Sequence, residues 1–376
     1  MIKIAALDAF VFRAPIATPV QTSFGIMRDR PAVFVRLTDT EGATGWGEIW
    51  CNFPTVGAEH RARLAMSVFA PMMQGRSYAS PEAGFLELTA ASEVLAIQCA
   101  EPGPVAQCIA GIDTALWDLH ARRLGQPLWK ALGGKAASSP VVPVYASGLN
   151  PTDPDKLAAE RLAEGYRAFK LKIGFGAARD LANLRALRAV IGEDCALMVD
   201  ANQAWDLEAA VEQSRALEPF NLGWLEEPLR ANRPWSEWHY LARKAPPVLA
   251  AGENLASFAA FDEALGSHAL GVVQPDLAKW GGFTGTLPVA RKILASGARY
   301  CPHYLGAGIG LLASAHLLAA VGGDGMLEID ANPNPLRSLT AGPVARVQDS
   351  RIRLDDAPGL GHAPDLATLK EFARAY

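Results

Sequence analysis

The sequence is poor in cysteine and has no cysteine pairing pattern. Five cysteines are scattered over 376 residues, and no two have C-x-x-C spacing. This excludes the disulfide framework of a small secreted protein and a thiolate metal site. The run MIKIAALDAFVFRAP is broken by Asp8 and Arg13 and lacks a small-residue cleavage site, which favours a first strand over a signal peptide. We therefore expect a cytoplasmic protein with reduced thiols.

A surplus of basic charge is also missing. The chain has 35 Lys and Arg against 39 Asp and Glu, a formal net charge of −4, and it contains no Lys/Arg-rich block. Proteins that bind phosphate backbones need a basic surface. We expect no nucleic-acid partner.

Long hydrophobic runs are limited to YLGAGIGLLASAHLLAAVGG, residues 304–323. This stretch carries no formal charge and is almost long enough to span a bilayer. It contains Gly306, Gly308, Gly310 and His316 and has no basic flank, which favours a buried barrel helix, and we expect no membrane partner. Its GAGIG segment resembles a dinucleotide-binding motif, but the third glycine would fall on Leu311, so that hypothesis is set aside.

From about residue 140, eight short apolar runs alternate with helical patterns. They recur about every 25 residues, the length of one parallel βα unit, and eight such units close a barrel. The runs are VVPVYASG, AFKLKIG, ALMVDANQ, GWLEEP, VLAAGEN, GVVQPD, RYCPH and GMLEID. Runs two to eight carry polar residues towards their carboxyl ends, namely Lys172, Asp200, Glu226, Glu253, Asp276, His303 and Glu328. Barrel enzymes build their sites at this end, so these side chains are expected to converge.

Residues 1 to about 130 indicate a separate α+β domain. AVFVRLTD followed by GATGWGEIW predicts antiparallel strands, and helical patterns follow from about His60. The segments ATPVQTSFGIMRDR and WCNFPTVGAEH are predicted to be long loops over a pocket. We expect a capping domain of residues 1–130, a barrel of residues 131–345, and a final segment, residues 346–376, that returns to the capping domain.

Three of the strand ends offer a set of hard oxygen ligands. Asp200, Glu226 and Glu253 follow three consecutive strands, so their carboxylates can point at one spot. Carboxylates without Cys or His favour Mg²⁺, whereas zinc would recruit nitrogen or sulfur. The sequence therefore predicts one Mg²⁺ per site.

Two candidate bases flank this predicted metal. Lys172 is expected to have a lowered pKa beside the second cation Lys170, and His303 is expected to be oriented by Asp276. Abstraction of a proton α to a carboxylate needs bases of this kind and a cation for the developing negative charge. Glu328, if protonated, could add a hydrogen bond to the same oxygens.

Together these residues resemble the enolase superfamily, and more closely its mandelate racemase subgroup. The similar segments are FKLKIG, VDAN, WLEEP, GEN, QPDLAKWGG, CPHYLGAG, LEID and GIDTALWDLHARRLGQPLWKALGG at residues 111–134. The resemblance implies a modified (β/α)7β barrel with an N-terminal α+β capping domain. It also implies catalytic roles for Lys170, Lys172, Asp276, His303 and Glu328, metal ligation by Asp200, Glu226 and Glu253, and substrate contact by Asn202.

Asp276 favours this subgroup over its neighbours. Members that resemble muconate cycloisomerases or dipeptide epimerases have a lysine base at that position, and Lys279 does not align with it. The implied reaction is most simply dehydration of an acid sugar or related hydroxy acid. Racemisation or epimerisation of a 2-hydroxy or imino acid is the alternative, and a non-catalytic ligand-binding barrel is a remote one.

The predicted flaps are expected to choose the substrate. Gln21, Asn52, Trp50 and Phe53 are the proposed contacts for a small-molecule carboxylate. The aromatic residues suit an amphipathic acid as well as a polyol acid, so the substrate is left open. A homo-oligomer is expected from the resemblance.

Overall fold

Strands and helices alternate along the chain in the computed structural model, which describes residues 1–136 and 138–376. The strands are β1 (Ile2–Gln21), β2 (Ile26–Asp39), β3 (Thr44–Ile49), β4 (Ser77–Tyr78), β5 (Val141–Leu149), β6 (Ala168–Lys172), β7 (Ala196–Asp200), β8 (Leu225–Glu226), β9 (Leu249–Ala251), β10 (Val272–Val273), β11 (Arg299–Tyr300), β12 (Leu327–Asp330), β13 (Arg351–Arg353) and β14 (Ala373–Arg374). The helices are α1 (Gly57–Leu64), α2 (Ala70–Met73), α3 (Pro81–Gln98), α4 (Pro102–Arg123), α5 (Leu128–Ala131), α6 (Pro154–Ala163), α7 (Ala177–Ile191), α8 (Leu207–Ala216), α9 (Trp235–Ala242), α10 (Phe258–Gly266), α11 (Gly282–Ala295), α12 (Gly308–Val321) and α13 (Pro335–Thr340).

The amino-terminal part of the chain forms an antiparallel sheet with the order β14-β1-β2-β3. Burial alternates along much of β1, as expected for a sheet with one face on a core. Helix α4 packs on β3 at a point where both elements carry glycine. A Cβ on Gly47 would lie 1.9 Å from the carbonyl oxygen of Gly111. Glycine is therefore required for this close approach.

The first predicted flap is not a loop, and this part of the prediction is wrong. Within ATPVQTSFGIMRDR, β1 continues to Gln21 and β2 begins at Ile26, so the segment is the end of a β-hairpin. Val20 pairs with Met27, and both are buried. Because this apolar cross-strand pair packs inward, the hairpin extends further than the polar residues around it suggest.

The second sheet is the predicted barrel, and the predicted fold class is confirmed. Its parallel strands have the order β11-β10-β9-β8-β7-β6-β5-β12, with α6 to α12 between consecutive strands. Each of the eight predicted runs overlaps one of β5 to β12. At the seam between the two end strands, the Met326 N–H donates to Cys301 Sγ at 3.4 Å. Strand β13 adds to β5 in the antiparallel sense.

The uncharged stretch at residues 304–323 contains α12, which has 14 residues and is buried over most of its length. His316 lies inside this helix, and its Nδ1 accepts a hydrogen bond from the Trp129 N–H at 3.1 Å. In the part of the chain that the structure describes, no helix has the length and apolarity needed to cross a membrane.

Two carboxylates of the amino-terminal part bind the N-terminal ends of barrel helices. Glu48 at the end of β3 accepts hydrogen bonds from the N–H groups of Ala307, at 2.6 Å, and Gly310, at 2.9 Å, where α12 begins. Asp113 on α4 accepts from the Thr284 N–H at 2.9 Å where α11 begins. Burial raises the pKa of Glu48 and of Asp113 to about 7. The barrel thus receives two of its helix caps from the amino-terminal part of the chain.

Candidate active site

Strand β6 places Lys170 and Lys172 in the barrel interior, and each ammonium group meets a carboxylate from another strand. The Lys172 Nζ lies 2.6 Å from Asp200 Oδ2. The Lys170 Nζ lies 2.6 Å from Glu226 Oε2 and 2.7 Å from Glu328 Oε1. The parallel register pairs Lys172 with Asp200 and Asp200 with Glu226, which explains how two buried ammonium groups share one strand face.

The prediction that the pKa of Lys172 is lowered is wrong. Burial and the neighbouring Lys170 lower the pKa of Lys172, but the Coulomb attraction of Asp200, helped by Glu226, outweighs them and raises it. The pKa of Lys170 is also raised, because Glu226 and Glu328 overcome its burial. Lys172 becomes a better base only if another cation takes up the charge of Asp200.

On another side of the barrel mouth, His303 lies between two carboxylates. Its Nδ1 is 2.8 Å from Asp276 Oδ2, and its Nε2 is 2.5 Å from Glu253 Oε2. Burial lowers the pKa of His303, but Glu253, Glu328 and Asp276 outweigh it and hold the pKa well above its usual value. Asp276 is itself fixed by the Ala278 N–H at 2.8 Å. The ring orientation is therefore set from the Nδ1 side.

Glu328 at the end of the barrel lies between the two basic groups. Its Oε1 contacts Lys170, and its Oε2 is 3.9 Å from His303 Nε2 and accepts the Tyr304 N–H at 3.0 Å. The Ser147 hydroxyl also donates to it. Burial raises the pKa of Glu328, but Lys170 and His303 outweigh burial and lower it to about 2. Lys170 and His303 therefore favour the ionised form of Glu328 over the protonated form considered from the sequence.

Three of the predicted site residues lie in loops that follow β9, β10 and β11. Glu253 follows the end of β9 by two residues, and Asp276 and His303 follow β10 and β11 by three. Lys172, Asp200, Glu226 and Glu328, in contrast, lie on the strands themselves. The loop residues still converge with them, because the loops leave the same end of the barrel.

The carboxyl groups at this end outnumber the basic groups. Buried together are six carboxyl groups, two lysines and one histidine, and the partly exposed Lys279 joins them; the buried groups are Asp200, Glu226, Glu227, Glu253, Asp276, Glu328, Lys170, Lys172 and His303. Burial, with mutual repulsion, raises the pKa of Glu226 to about 7 and that of Glu227 to about 8. A divalent cation matches the surplus of carboxyl groups and their oxygen donors, so the chemistry of the donor set fits Mg²⁺.

The predicted ligands are engaged by the protein's own cations. Asp200 binds Lys172, Glu226 binds Lys170, and Glu253 binds His303 and Lys279. Among residues 1–136 and 138–376, no three His, Cys, Asp or Glu side chains are arranged as a metal-binding group. The assignment of these three carboxylates as metal ligands stays a prediction.

The predicted substrate contacts have protein partners. The Asn202 Nδ2 donates to Asp200 Oδ2 at 3.0 Å, and Asn202 Oδ1 is buried without a hydrogen bond from any residue that the structure describes. The Gln21 N–H donates to Asn150 Oδ1 at 3.1 Å, which ties the hairpin to the end of β5. The Asn52 Nδ2 donates to the Leu305 carbonyl at 2.5 Å.

The two aromatic residues predicted to contact substrate occupy different places. Phe53 packs edge-on against Phe24, with ring centroids 5.1 Å apart, where the two flaps meet. The Trp50 ring lies 5.0 Å from the Lys279 Nζ. A cavity of about 550 Å³ lies beside the hairpin, between Gln21 and residues that follow β5 and β12. The first flap therefore adjoins open space, and neither Phe53 nor Trp50 lines this cavity.

Some contacts at the site were missed by the sequence prediction. The Gln274 Nε2 donates to Glu226 Oε2 at 2.7 Å, and the Trp224 Nε1 donates to the same oxygen at 3.2 Å. Gln274 precedes Asp276 by two residues, a spacing that could have identified it. The donation from Ser147 to Glu328 follows from the pairing of β12 with β5, which gives no motif in the sequence.

Comparison with known families gives two matches. The family model described as Mandelate racemase / muconate lactonizing enzyme, N-terminal domain, matches residues 6–133. The family model described as Enolase C-terminal domain-like matches residues 155–368. These two regions together cover more than half of the chain.

Individual relatives match along nearly the whole chain. The structure of a mandelate racemase/muconate lactonizing enzyme from Bordetella bronchiseptica RB50 is 55% identical, with a TM-score of 0.93 over 98% of this chain and 99% of that one. The 3,6-anhydro-alpha-L-galactonate cycloisomerase of Streptomyces coelicolor is 31% identical over 96% of this chain and 97% of its own. The structure of an L-talarate/galactarate dehydratase mutant liganded with Mg and L-glucarate is 26% identical, with a TM-score of 0.86 over 99% and 92% of the two chains.

Proposed function

The chain is an enzyme of the mandelate racemase / muconate lactonizing enzyme family, and from this premise we propose that it dehydrates an acid sugar or related hydroxy acid. The reaction begins with removal of the proton α to the carboxylate. It ends with loss of the β-hydroxyl as water, and the enol product tautomerises to a 2-keto-3-deoxy acid.

The observation that carries this proposal is the position of Glu328 between two basic groups. Lys170 contacts one of its oxygens, and His303 Nε2 lies 3.9 Å from the other. Lys172 follows Lys170 by two residues on β6 and shares its strand face, whereas His303 lies in the loop after β11, so the two candidate bases come from different parts of the barrel. A substrate carbon held there would have a proton-transfer group on each face.

The residues have separable roles in the proposed reaction. Lys172 removes the α-proton, while Lys170 faces the substrate carboxylate and helps to neutralise the enediolate. His303, oriented by Asp276 at Nδ1, delivers its Nε2 proton to the departing hydroxyl, which leaves as water. Glu328 holds Lys170 in place as an ionised carboxylate.

Asp200, Glu226 and Glu253 would hold one Mg²⁺ at this site. When bound, the ion supplies positive charge to the carboxylate oxygens as negative charge develops on them. Asn202, which donates to Asp200, and Gln274, which donates to Glu226, hold two of these carboxylates from behind. The bound magnesium in the dehydratase structure supports this assignment.

The proposal is tested by incubating the purified protein and Mg²⁺ with a library of sugar acids and detecting keto acids. We expect one group of acids to give a stoichiometric 2-keto-3-deoxy product. A keto acid that forms equally fast without the protein or with Lys172→Ala would overturn it.

A second candidate is racemisation or epimerisation of a 2-hydroxy or imino acid. It is favoured by the same two candidate bases on different parts of the barrel, Lys172 and His303, because reprotonation by the second base would invert the α-carbon. Relatives named as racemases also exist. The two reactions are separated by nuclear magnetic resonance in D₂O, where inversion puts deuterium at the α-carbon and produces no keto acid.

We also propose that residues 1–130 select the substrate while the barrel performs the chemistry. Gln21, Asn52, Trp50 and Phe53 lie in this part, next to the mouth but outside the set of acids and bases. The proposed ligand is a small-molecule carboxylate, and assembly as a homo-oligomer is proposed from the family.

A further inference from the structure

Lys279 is a largely covered cation that the proposed chemistry does not use. Its side chain is 14% exposed, and its Nζ lies 3.2 Å from Glu253 Oε1. The same Nζ donates to Asn254 Oδ1 at 3.2 Å, and Asn254 in turn donates to Glu253 Oε1 at 3.1 Å. One oxygen of Glu253 therefore has two donors, while the other faces His303.

The position of Lys279 is fixed from two directions. Its backbone N–H donates to Asp276 Oδ1 at 3.2 Å, which ties it to the carboxylate that orients His303. Its ammonium group lies 5.0 Å from the centroid of the Trp50 ring. Trp50 directly follows β3, so an aromatic face of the amino-terminal part covers a barrel lysine. An ammonium ion on an indole face is held electrostatically by the ring quadrupole.

We propose that Lys279 is a positioning residue that holds Glu253 in a cation-binding orientation, and that Trp50 keeps Lys279 in place. This gives Trp50 a role towards the cation site through Lys279, separate from the substrate contact proposed for it. The inference rests on the proposed function only in taking Glu253 as a cation ligand. Partners that orient a ligating carboxylate change metal affinity about 10- to 100-fold when removed.

An alternative role for Lys279 would predict the opposite change in cation affinity. If Lys279 were only a repelling positive charge next to the ion, its removal would strengthen cation binding. If it orients Glu253 by donating to Oε1, its removal weakens binding, because the freed carboxylate turns towards other partners. The sign of the change therefore separates the two explanations.

The test is direct binding of Mn²⁺, which takes the same oxygen ligands as Mg²⁺, followed by the paramagnetic resonance signal of the free ion. We expect Lys279→Met to weaken Mn²⁺ binding about 10- to 100-fold and Lys279→Arg, which can still donate to Glu253, to recover most of the loss. Trp50→Leu should weaken binding about fivefold, whereas Trp50→Phe keeps an aromatic face and changes it less.

A matched control exists on the surface. Lys244 lies 5.9 Å from the ring of Tyr240, which is 50% exposed, so it has the same type of contact away from the site. Lys244→Met and Tyr240→Leu should bind Mn²⁺ like the unmodified protein. The double variant Trp50→Leu/Lys279→Met should be no weaker than Lys279→Met, because Trp50 acts through the lysine.

Each outcome bears on one proposal. Unchanged or tighter Mn²⁺ binding by Lys279→Met overturns the positioning role, and additive losses in the double variant overturn the role of Trp50. If Lys279→Met does not fold, Lys279→Arg and Trp50→Leu decide, because unchanged binding in Trp50→Leu contradicts the inference. Failure of the unmodified protein to bind Mn²⁺ would instead refute the proposed cation site, and binding without turnover on any acid would refute the proposed reaction alone.

Discussion

Replacing His303 by asparagine gives the sharpest test of the proposed chemistry. The imidazole is buried, and both ring nitrogens bind carboxylates, Asp276 at 2.8 Å and Glu253 at 2.5 Å. Asparagine can keep one of these hydrogen bonds but cannot accept and return a proton near pH 7. We expect kcat/KM to fall by about 10²- to 10⁴-fold, the usual contribution of a general acid or base. This corresponds to about 3 to 5 kcal/mol of transition-state stabilisation.

The assay follows two signals from the same reaction in D₂O. Keto-acid formation reports complete turnover, and loss of the α-proton resonance reports proton removal alone. On a substrate whose α-proton faces Lys172, His303→Asn should still exchange deuterium while forming almost no product. The Asp276→Asn variant should show a milder form of the same defect, because it alters the ring's hydrogen bond and leaves the ring in place.

A buried histidine elsewhere in the barrel provides the control. His316 lies inside α12, and His316→Asn should leave turnover per folded molecule nearly unchanged, which circular dichroism melts can verify. Dehydration or racemisation by His303→Asn at the rate of the unmodified enzyme would refute the reasoning. It would show that the His303 and Asp276 pair is structural.

Three further outcomes are expected. Glu226→Gln should weaken Mg²⁺ binding at least about tenfold, and exhaustive chelation should stop turnover; full activity after chelation would contradict the metal assignment. Phe53→Ala should change the ranking of acids by kcat/KM, whereas an equal loss on every acid would argue against a role in selection. Glu48 has a folded pKa of about 7 against 4.5 for an ordinary glutamate, so the folded state retains this proton longer. Its contribution to stability should fall as pH rises from about 4.5 to 7, by up to about 1.4 kcal/mol per pH unit. The free energy of unfolding, measured with denaturant at several pH values, should therefore depend less steeply on pH in Glu48→Gln than in the unmodified protein. An identical slope in both proteins would be evidence against this shift.

The sequence was informative where local geometry decides the outcome. Lys170 and Lys172 share one face of a short strand because side chains alternate, and the 25-residue repeat brings Asp200 and Glu226 to the same end of the barrel. Glu253, Asp276 and His303 lie in loops, and their convergence follows from the repeat even though the strands end earlier.

What the sequence could not give were distances between charges. The expected pKa of Lys172 considered Lys170, two residues away, but the closer partner is Asp200 on the next strand, at 2.6 Å. Glu328 is ionised for the same reason, because Lys170 lies against it. The contact of Trp50 with Lys279 joins residues more than two hundred positions apart, and no spacing in the chain indicates it.

The caps that Glu48 and Asp113 place on α12 and α11 limit how this enzyme can be recombined. A chimera that grafts the amino-terminal part of a relative onto this barrel would leave the first N–H groups of two helices without acceptors unless the graft supplies carboxylates at both positions. Laboratory evolution of new specificities is therefore better confined to the hairpin tip and the Phe53 segment than extended to whole-domain exchange. The proposed boundary between substrate choice and chemistry is thus crossed by two helix caps that a whole-domain exchange would remove.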